Sequence, residues 1–411
     1  MNAQNAVTPV ELERVMRAEA PGCGALLDKI TTELNAFADF LGDQYLIQYI
    51  PEGGSKIKFV TGRPGSGKTH FSQLMLERAS ALGYATVSFS AKDVWLHDFR
   101  GIYLQILGQC DIERVLKGCA DQIARNMGYD PGAFGEGKKL MDYLSERGEA
   151  DSISKGEIRN ALRAFFTRNP MLDNGFASCC SLLTGDLLGH PVLEPANRDM
   201  VLAFLAGDKS VRLSQMRALG LSPSGITRYN ARHLLRSLAE VVHLSGAPGL
   251  VVVIDDMEVL LRRSADEPIR YTRLRREDTY ESIRQLIDDI DSMRHMMFLL
   301  CFDRRLMDDE TLGMKSYQAL WMRVQNEVVS ARFNRFADII DLDRYADEFY
   351  SVEALVRMSE KLVGALGAAG GAHAPLTEEA ARDIIERGRY GGLGLPLLVN
   401  RTVLEGGGQH E

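Results

Sequence analysis

Lys68 and Thr69 close the stretch Gly62-Arg63-Pro64-Gly65-Ser66-Gly67-Lys68-Thr69, with His70 next in line. The stretch satisfies G-x-x-x-x-G-K-[ST] without a mismatch. These residue types suit one chemistry, the holding of a polyphosphate. Gly62, Gly65 and Gly67 are expected to take positive φ and to bring backbone N–H groups close to an anion. A helix beginning near Lys68 would aim its free N–H groups and the positive end of its dipole at the same spot. Lys68 is expected on the β- and γ-phosphates and the Thr69 hydroxyl on Mg²⁺. Residues 62–70, with Arg63, Pro64, Ser66 and His70 among them, form the candidate cofactor-binding set for ATP.

A second stretch completes the chemistry. Gly249-Leu250-Val251-Val252-Val253-Ile254-Asp255-Asp256-Met257-Glu258 is an unbroken aliphatic run ending in acids. Such a run suits a strand buried on both faces of a parallel sheet, and its acidic tip falls where ligands bind in such sheets. It follows the Walker B pattern, as the first stretch follows Walker A. Asp255 is the second candidate Mg²⁺ ligand, with Thr69. Asp256 is the candidate water-activating acid, with Glu258 as the alternative. Met296 to Phe302 reads as a third buried strand with Asp303 at its tip, placed either to position water or to cap the next helix. Arg323, on a helix from Tyr317 to Val329, is the candidate arginine finger for a neighbouring subunit. Arg332 and Arg335 share its region.

These groups need a scaffold, and the rest of the chain supplies one. The 411 residues are 45% hydrophobic and 25% charged, ordinary for a globular protein with a large core. The net charge of −8 excludes an overall basic field for nucleic acid, so any DNA contact must be a local patch. The arginine-rich stretch 262–276 is one candidate patch, with a solvated mixed-charge loop as its plainer reading. Six cysteines include no C-x-x-C pair and fit a reducing compartment rather than a zinc site. No signal pattern or bilayer-length apolar run is present, and a cytoplasmic protein without membrane contact is expected.

Taken in order, residues 1–50 read as a helical segment opening at Thr8-Pro9 and broken at Pro21-Gly22. Residues 51–110 read as the first part of an α/β core, with Tyr84 to Ser90 as its second strand. Residues 111–246 show no strand pattern and form a long helical insertion. Helices are expected around 111–127, 136–147, 155–167, 195–206 and 228–244, separated by turns that include Asn174-Gly175. Residues 247–345 return to the core, and 346–411 form a helical or winged-helix lid. The fold class is α/β: a P-loop NTPase whose parallel sheet is flanked by helices, with its insertion between Walker A and Walker B.

This arrangement resembles the AAA-type and ORC-like ATPases. It is more closely similar to the ATP-binding proteins of BREX phage-defence systems, of the BrxD type. The likeness rests on Gly65 to Phe71, on Leu96-His97 through Ile102-Tyr103, and on Gly249 to Glu258. It extends through Arg275-Arg276, Tyr280, Ile283-Arg284 and Leu286 to Asp288, then Gly313 to Tyr317 and Ala319 to Arg323. The resemblance implies ATP hydrolysis in a DNA-associated complex of anti-phage defence, as a homo-oligomer or with other defence-system proteins. Double-stranded DNA is a candidate partner. Three features depart from that family's habit: Asp256 stands where Glu is usual, Arg63-Pro64 replaces an acidic, aromatic approach to the loop, and the turn Leu395-Pro396-Leu397 has no arginine directly after the proline, although Arg401 lies nearby. A nucleotide-gated binding module with negligible turnover and an ORC-like DNA loader are the alternative functions. A small-molecule kinase fits the insertion and the lid poorly.

Overall fold

The computed structural model describes residues 14–17, 25–262, 269–328, 332–368 and 373–407. The start of the helix expected from Thr8, its stop at Pro21-Gly22 and residues 263–268 of the arginine-rich stretch lie outside them; of that helix, residues 14–16 are helical.

Five strands form one parallel sheet: β1 (Ser55–Gly62), β2 (Ala85–Ser90), β3 (Leu250–Asp255), β4 (Met296–Asp303) and β5 (Ile339–Asp341). Their order is β2-β3-β4-β1-β5. Strands β1 and β2, consecutive in sequence, are therefore separated by β3 and β4, so the later half of the chain inserts between them.

The sheet divides two cores, and β4 shows why its sequence is apolar without a break. Met296, Phe298, Leu300 and Phe302 face one core, while Met297, Leu299 and Cys301 face the other. A strand covered on both sides has no polar face to alternate with. On the first face lie the helices Phe99–Gln109, Ile112–Asn126, Asn174–Leu188, Ala231–Leu244 and Arg273–Asp289. On the second lie Leu34–Leu41, Lys68–Ala81, Leu342–Phe349 and three C-terminal helices, Val352–Ala368, Glu378–Tyr390 and Leu395–Gly407.

Between β2 and β3 the described chain is helical and contains no strand. This block shares one continuous apolar cluster with the sheet, in which Cys119, Cys180 and Leu238 join Val252 and Phe298. The turn expected at Asn174-Gly175 is instead the first turn of the helix Asn174–Leu188. The Asp173 carboxylate accepts the Phe176 N–H and caps it, so the Asn-Gly pair sits inside a helix start that the cap stabilises. Beyond β5 the described residues hold helices and no strand, so they offer nothing from which to build the wing of a winged helix.

Strand β1 carries one residue at odds with its neighbours. Lys58 is fully buried, and its ammonium donates to Phe336 O, Ala337 O and an Asp338 carboxylate oxygen at 2.8–3.1 Å. The Tyr45 ring lies 4.7 Å from the same nitrogen. A buried ammonium is tolerated because its donors are occupied and its charge is paired. The effect is to tie β1 to the segment that leads into the short edge strand β5.

Candidate functional site

Because every strand runs the same way, their C-terminal tips share one edge of the sheet. Gly62, Ser90, Asp255, Asp303 and Asp341 end the five strands. Register sets Gly62 opposite Asp303 and Ser90 opposite Asp255. The two sequence motifs, nearly two hundred residues apart, meet at that edge.

In the loop after β1, Gly65 has φ +76° and Gly67 has φ +94°, and Gly67 is the residue before the helix Lys68–Ala81. Those two glycines meet the expectation of positive φ. Gly62 does not, for it lies outside the left-handed region. Its requirement is space: a Cβ there would lie 2.4 Å from Ser66 Oγ. The Lys68 ammonium donates to Gly62 O and Arg63 O at 3.0 and 3.1 Å, which lays it across the loop.

Thr69 Oγ1 donates to Asp255 Oδ2 at 2.6 Å. The other Asp255 oxygen accepts the Asp256 N–H at 2.7 Å. Burial pushes the Asp255 carboxyl above the ordinary carboxylate range, against the pull of those two bonds. Among the described residues no group of three or more His, Cys, Asp or Glu could hold a metal ion alone. Mg²⁺ rarely needs one, since it takes one or two protein oxygens and completes its shell with phosphate and water. The hydroxyl and carboxylate oxygens of Thr69 and Asp255, side by side at the loop, fit that donor set.

Asp256 takes a left-handed conformation, φ 59° and ψ 29°, rare for a residue other than glycine. That twist points its carboxylate toward the tip of β2, where it accepts from Ser90 Oγ at 2.7 Å and pairs with Lys92 Nζ at 2.7 Å. Burial opposes its ionisation, yet Lys92 and Ser90 outweigh burial and hold the carboxyl below its usual range. Glu258 has the opposite balance. Burial raises its carboxyl, and one of its oxygens accepts the Asp303 N–H at 3.2 Å. Ser90 could have been suspected as a polar tip of an expected strand, whereas nothing in the sequence marked Lys92.

The Asp303 carboxylate accepts from the Arg305 N–H and the Arg305 guanidinium at 2.9–3.2 Å. The carboxylate thus takes the first N–H of the short helix Arg305–Asp308, and an ion pair shares it. Arg323 stands elsewhere. It forks onto Asp288, with both contacts at 3.1 Å, and lines a separate hollow with Lys56, Ile57 and Asp338 near the opposite end of β1.

A cavity of about 510 Å³ opens beside the loop. Gly65, Gly67, Lys68, Thr69, Asp255 and Asp256 form its polar end. Val15, Met16, Leu34, Tyr350, Met358 and Leu362 form an apolar wall drawn from both ends of the chain. An apolar cleft with a few convergent polar groups is the usual form of a ligand site. His70 lines it too, with Nε2 2.7 Å from Thr31 Oγ1, and burial holds the imidazole down to about 4. Because the Thr31 hydroxyl donates to Leu27 O at 2.6 Å, it accepts from His70, which fixes the neutral Nε2–H tautomer. Ile30, Thr31 and Leu34, from the N-terminal helical region, also line this cavity.

No helix among the described residues is long and apolar enough to cross a membrane. Comparison with curated proteins and with solved structures gives no match. Comparison with family profiles does, over residues 21–124 and 181–382, which take in the phosphate loop, the Asp255 strand and all five strands of the sheet. The family is described as the BREX system ATP-binding protein BrxC/D. With a glycine-rich loop at the sheet's edge, a paired threonine and aspartate beside it and a match over most of the chain, this protein belongs to the BrxC/D family of BREX system ATP-binding proteins.

Proposed function

We propose that this chain is a Mg²⁺-dependent ATPase of AAA-like architecture that works in a DNA-associated complex of a BREX defence system. The observation that carries the reading is the 2.6 Å contact between Thr69 and Asp255 at the mouth of the 510 Å³ cavity. Phosphoryl transfer of this kind asks the protein for position and charge, with no covalent step. The N–H groups of the glycine loop and the Lys68 ammonium hold the phosphates, and Thr69 and Asp255 hold Mg²⁺, which would neutralise developing charge. Asp256 orients the attacking water, with Glu258 behind it. Arg323 serves a neighbouring copy only by leaving Asp288.

The proposal is tested by phosphate release from the purified protein, with and without double-stranded DNA, at several salt concentrations. Turnover that disappears in Lys68→Ala and in Asp256→Ala supports it. Full turnover in both variants would overturn it.

A second reading is favoured by one observation, the hold of Lys92 and Ser90 on Asp256. In that reading the chain is a nucleotide-gated assembly module. ATP then stabilises an oligomer or a complex with other defence-system proteins, and phosphate release is negligible. ATP-dependent assembly, measured by sedimentation alongside the release assay, separates the two readings.

A further inference from the structure

Arg63 lies inside the phosphate loop, yet its contacts point away from where phosphate would sit. Its backbone N–H and its Nε reach the two carboxylate oxygens of Asp343, at 2.8 and 3.1 Å. Asp343 is buried, at the first turn of the helix Leu342–Phe349. Its Nη1 alone donates to both Gly388 O at 2.5 Å and Gly391 O at 2.8 Å. Those carbonyls close the helix Glu378–Tyr390, where the last turn has no N–H of its own to offer them. A planar, permanently charged fork suits a carboxylate on one edge and a helix C-terminus on the other.

The backbone repeats the connection. Pro64 O accepts the Gly394 N–H at 2.9 Å, and Gly65 O accepts the Leu397 N–H at 3.2 Å. The peptide whose carbonyl meets Gly394 is the one whose other end is the Gly65 N–H, a donor of the loop. Contact is close enough that a Cβ on Gly394 would lie 2.4 Å from Ser66 Cα, and one on Gly65 would lie 2.3 Å from Leu397 Cβ. Pro396, Leu397 and Asn400 also line the cavity. The C-terminal segment therefore holds the outer side of the same peptides whose inner side faces the ligand.

We infer that Arg63 is a positioning residue that locks the seating of the segment 378–407 to the conformation of the phosphate loop, so that nucleotide binding orders both together. The inference rests on the reading of residues 62–69 as the ATP loop. With the carbonyls of Pro64 and Gly65 bonded to the segment, the loop peptides are held at the orientation that presents N–H groups inward. Loss of the Arg63 fork frees the segment, and the loop then binds ATP without closing its outer wall.

Hydrogen exchange of the full chain, with and without ATP and Mg²⁺, tests this. In the unaltered protein ATP should slow exchange both in the helix Lys68–Ala81 and across 378–400. In Arg63→Ala the slowing near Lys68 should persist, the slowing across 378–400 should be lost, and affinity for a fluorescent ATP analogue should fall about fivefold or more. Arg63→Lys keeps one nitrogen able to reach both carbonyls but loses the Nε beside Asp343, and should restore part of both effects. Gly394→Val leaves Arg63 in place and pushes the segment off Ser66; it should reproduce the loss, and the double variant Arg63→Ala, Gly394→Val should be no worse than either alone. Unchanged ATP-linked protection across 378–400 in Arg63→Ala, or strictly additive losses in the double variant, overturns the inference. Absence of ATP binding by the unaltered protein sinks the ATP reading instead. The link is then read without nucleotide, where Arg63→Ala should speed exchange across 378–400 about fivefold and equal rates reject it.

Discussion

Thr69 Oγ1 and Asp255 Oδ2 lie 2.6 Å apart, joining the first turn of the helix after β1 to the tip of β3. Two strands that are not neighbours in the sheet thus share one polar contact, across the tip of β4. If this pair holds Mg²⁺, the metal-dependent part of ATP affinity belongs to it. Titration with a fluorescent ATP analogue should show Thr69→Ala and Asp255→Asn losing roughly tenfold of the Mg²⁺ gain, or about 1.4 kcal/mol, with little change in EDTA. Lys68→Ala should weaken binding in both buffers. Equal Mg²⁺ gains in the Asp255→Asn variant and the unaltered protein would reject the assignment.

Asp256 and Glu258 are the two acids proposed to orient water, and their surroundings differ. Asp256 is held ionised by Lys92 and Ser90, whereas burial raises the Glu258 carboxyl. With Asp256 as the acid at work, single-turnover phosphate release should drop by about a hundredfold or more in Asp256→Asn, and by less than about tenfold in Glu258→Gln. The reverse ranking would transfer the role to Glu258.

Lys58 makes a prediction about stability that does not involve the site. Lys58→Ala removes the donor to Phe336 O, Ala337 O and Asp338; the Ala337 carbonyl in the interior loses it outright, while Asp338 keeps its pair with Lys56 at 2.7 Å. Losing the hydrogen bonds of a buried charged donor costs about 2 kcal/mol, readable as a lower midpoint in urea unfolding. Asp338→Asn should cost less, because that carboxylate is about a third exposed. Equal midpoints for Lys58→Ala and the unaltered chain would show that the ammonium contributes nothing net.

Acid should act through Glu281. Hydrogen bonds from Arg284 hold its carboxyl down to about 2 against the opposing effect of burial, with Tyr317 and Gln285 adding two more. A carboxyl lowered in the folded state stabilises it fully above the unfolded value near 4.5, and that contribution fades as pH falls from there toward 2. The group is partly exposed, so solvent screening leaves about 1 kcal/mol of it. Urea unfolding at pH 7 should therefore separate Glu281→Gln from the unaltered protein, and the difference should shrink by pH 3. A constant difference across that range would contradict the linkage.

The turn at Gly65 and Gly67 and the helix start at Lys68 were legible from the sequence because they are local. Gly65, Gly67, Lys68 and Thr69 lie within one turn, so their spacing carries the geometry. The strands β3 and β4 were legible because burial on both faces demands apolar runs. The helix Asn174–Leu188 was hidden by a turn signal, Asn174-Gly175, although Asp173 ahead of Phe176 and Ala177 was a capping cue in plain view. Arg323 illustrates a harder limit, since an arginine on a helix looks the same whether it reaches a neighbour or, as here, pairs with Asp288 in its own chain.

By itself the sequence determined that a glycine-rich strand-to-helix loop and an acid-tipped buried strand belong to one α/β chain, because each motif is written in contiguous residues. Only the tertiary structure decided the strand order that brings Thr69 to Asp255, the turning of Asp256 toward Lys92, and the docking of Gly394 and Leu397 on the carbonyls of Pro64 and Gly65. Those are contacts between segments far apart in the chain, and their energy depends on which faces the two cores bury, which no local spacing records.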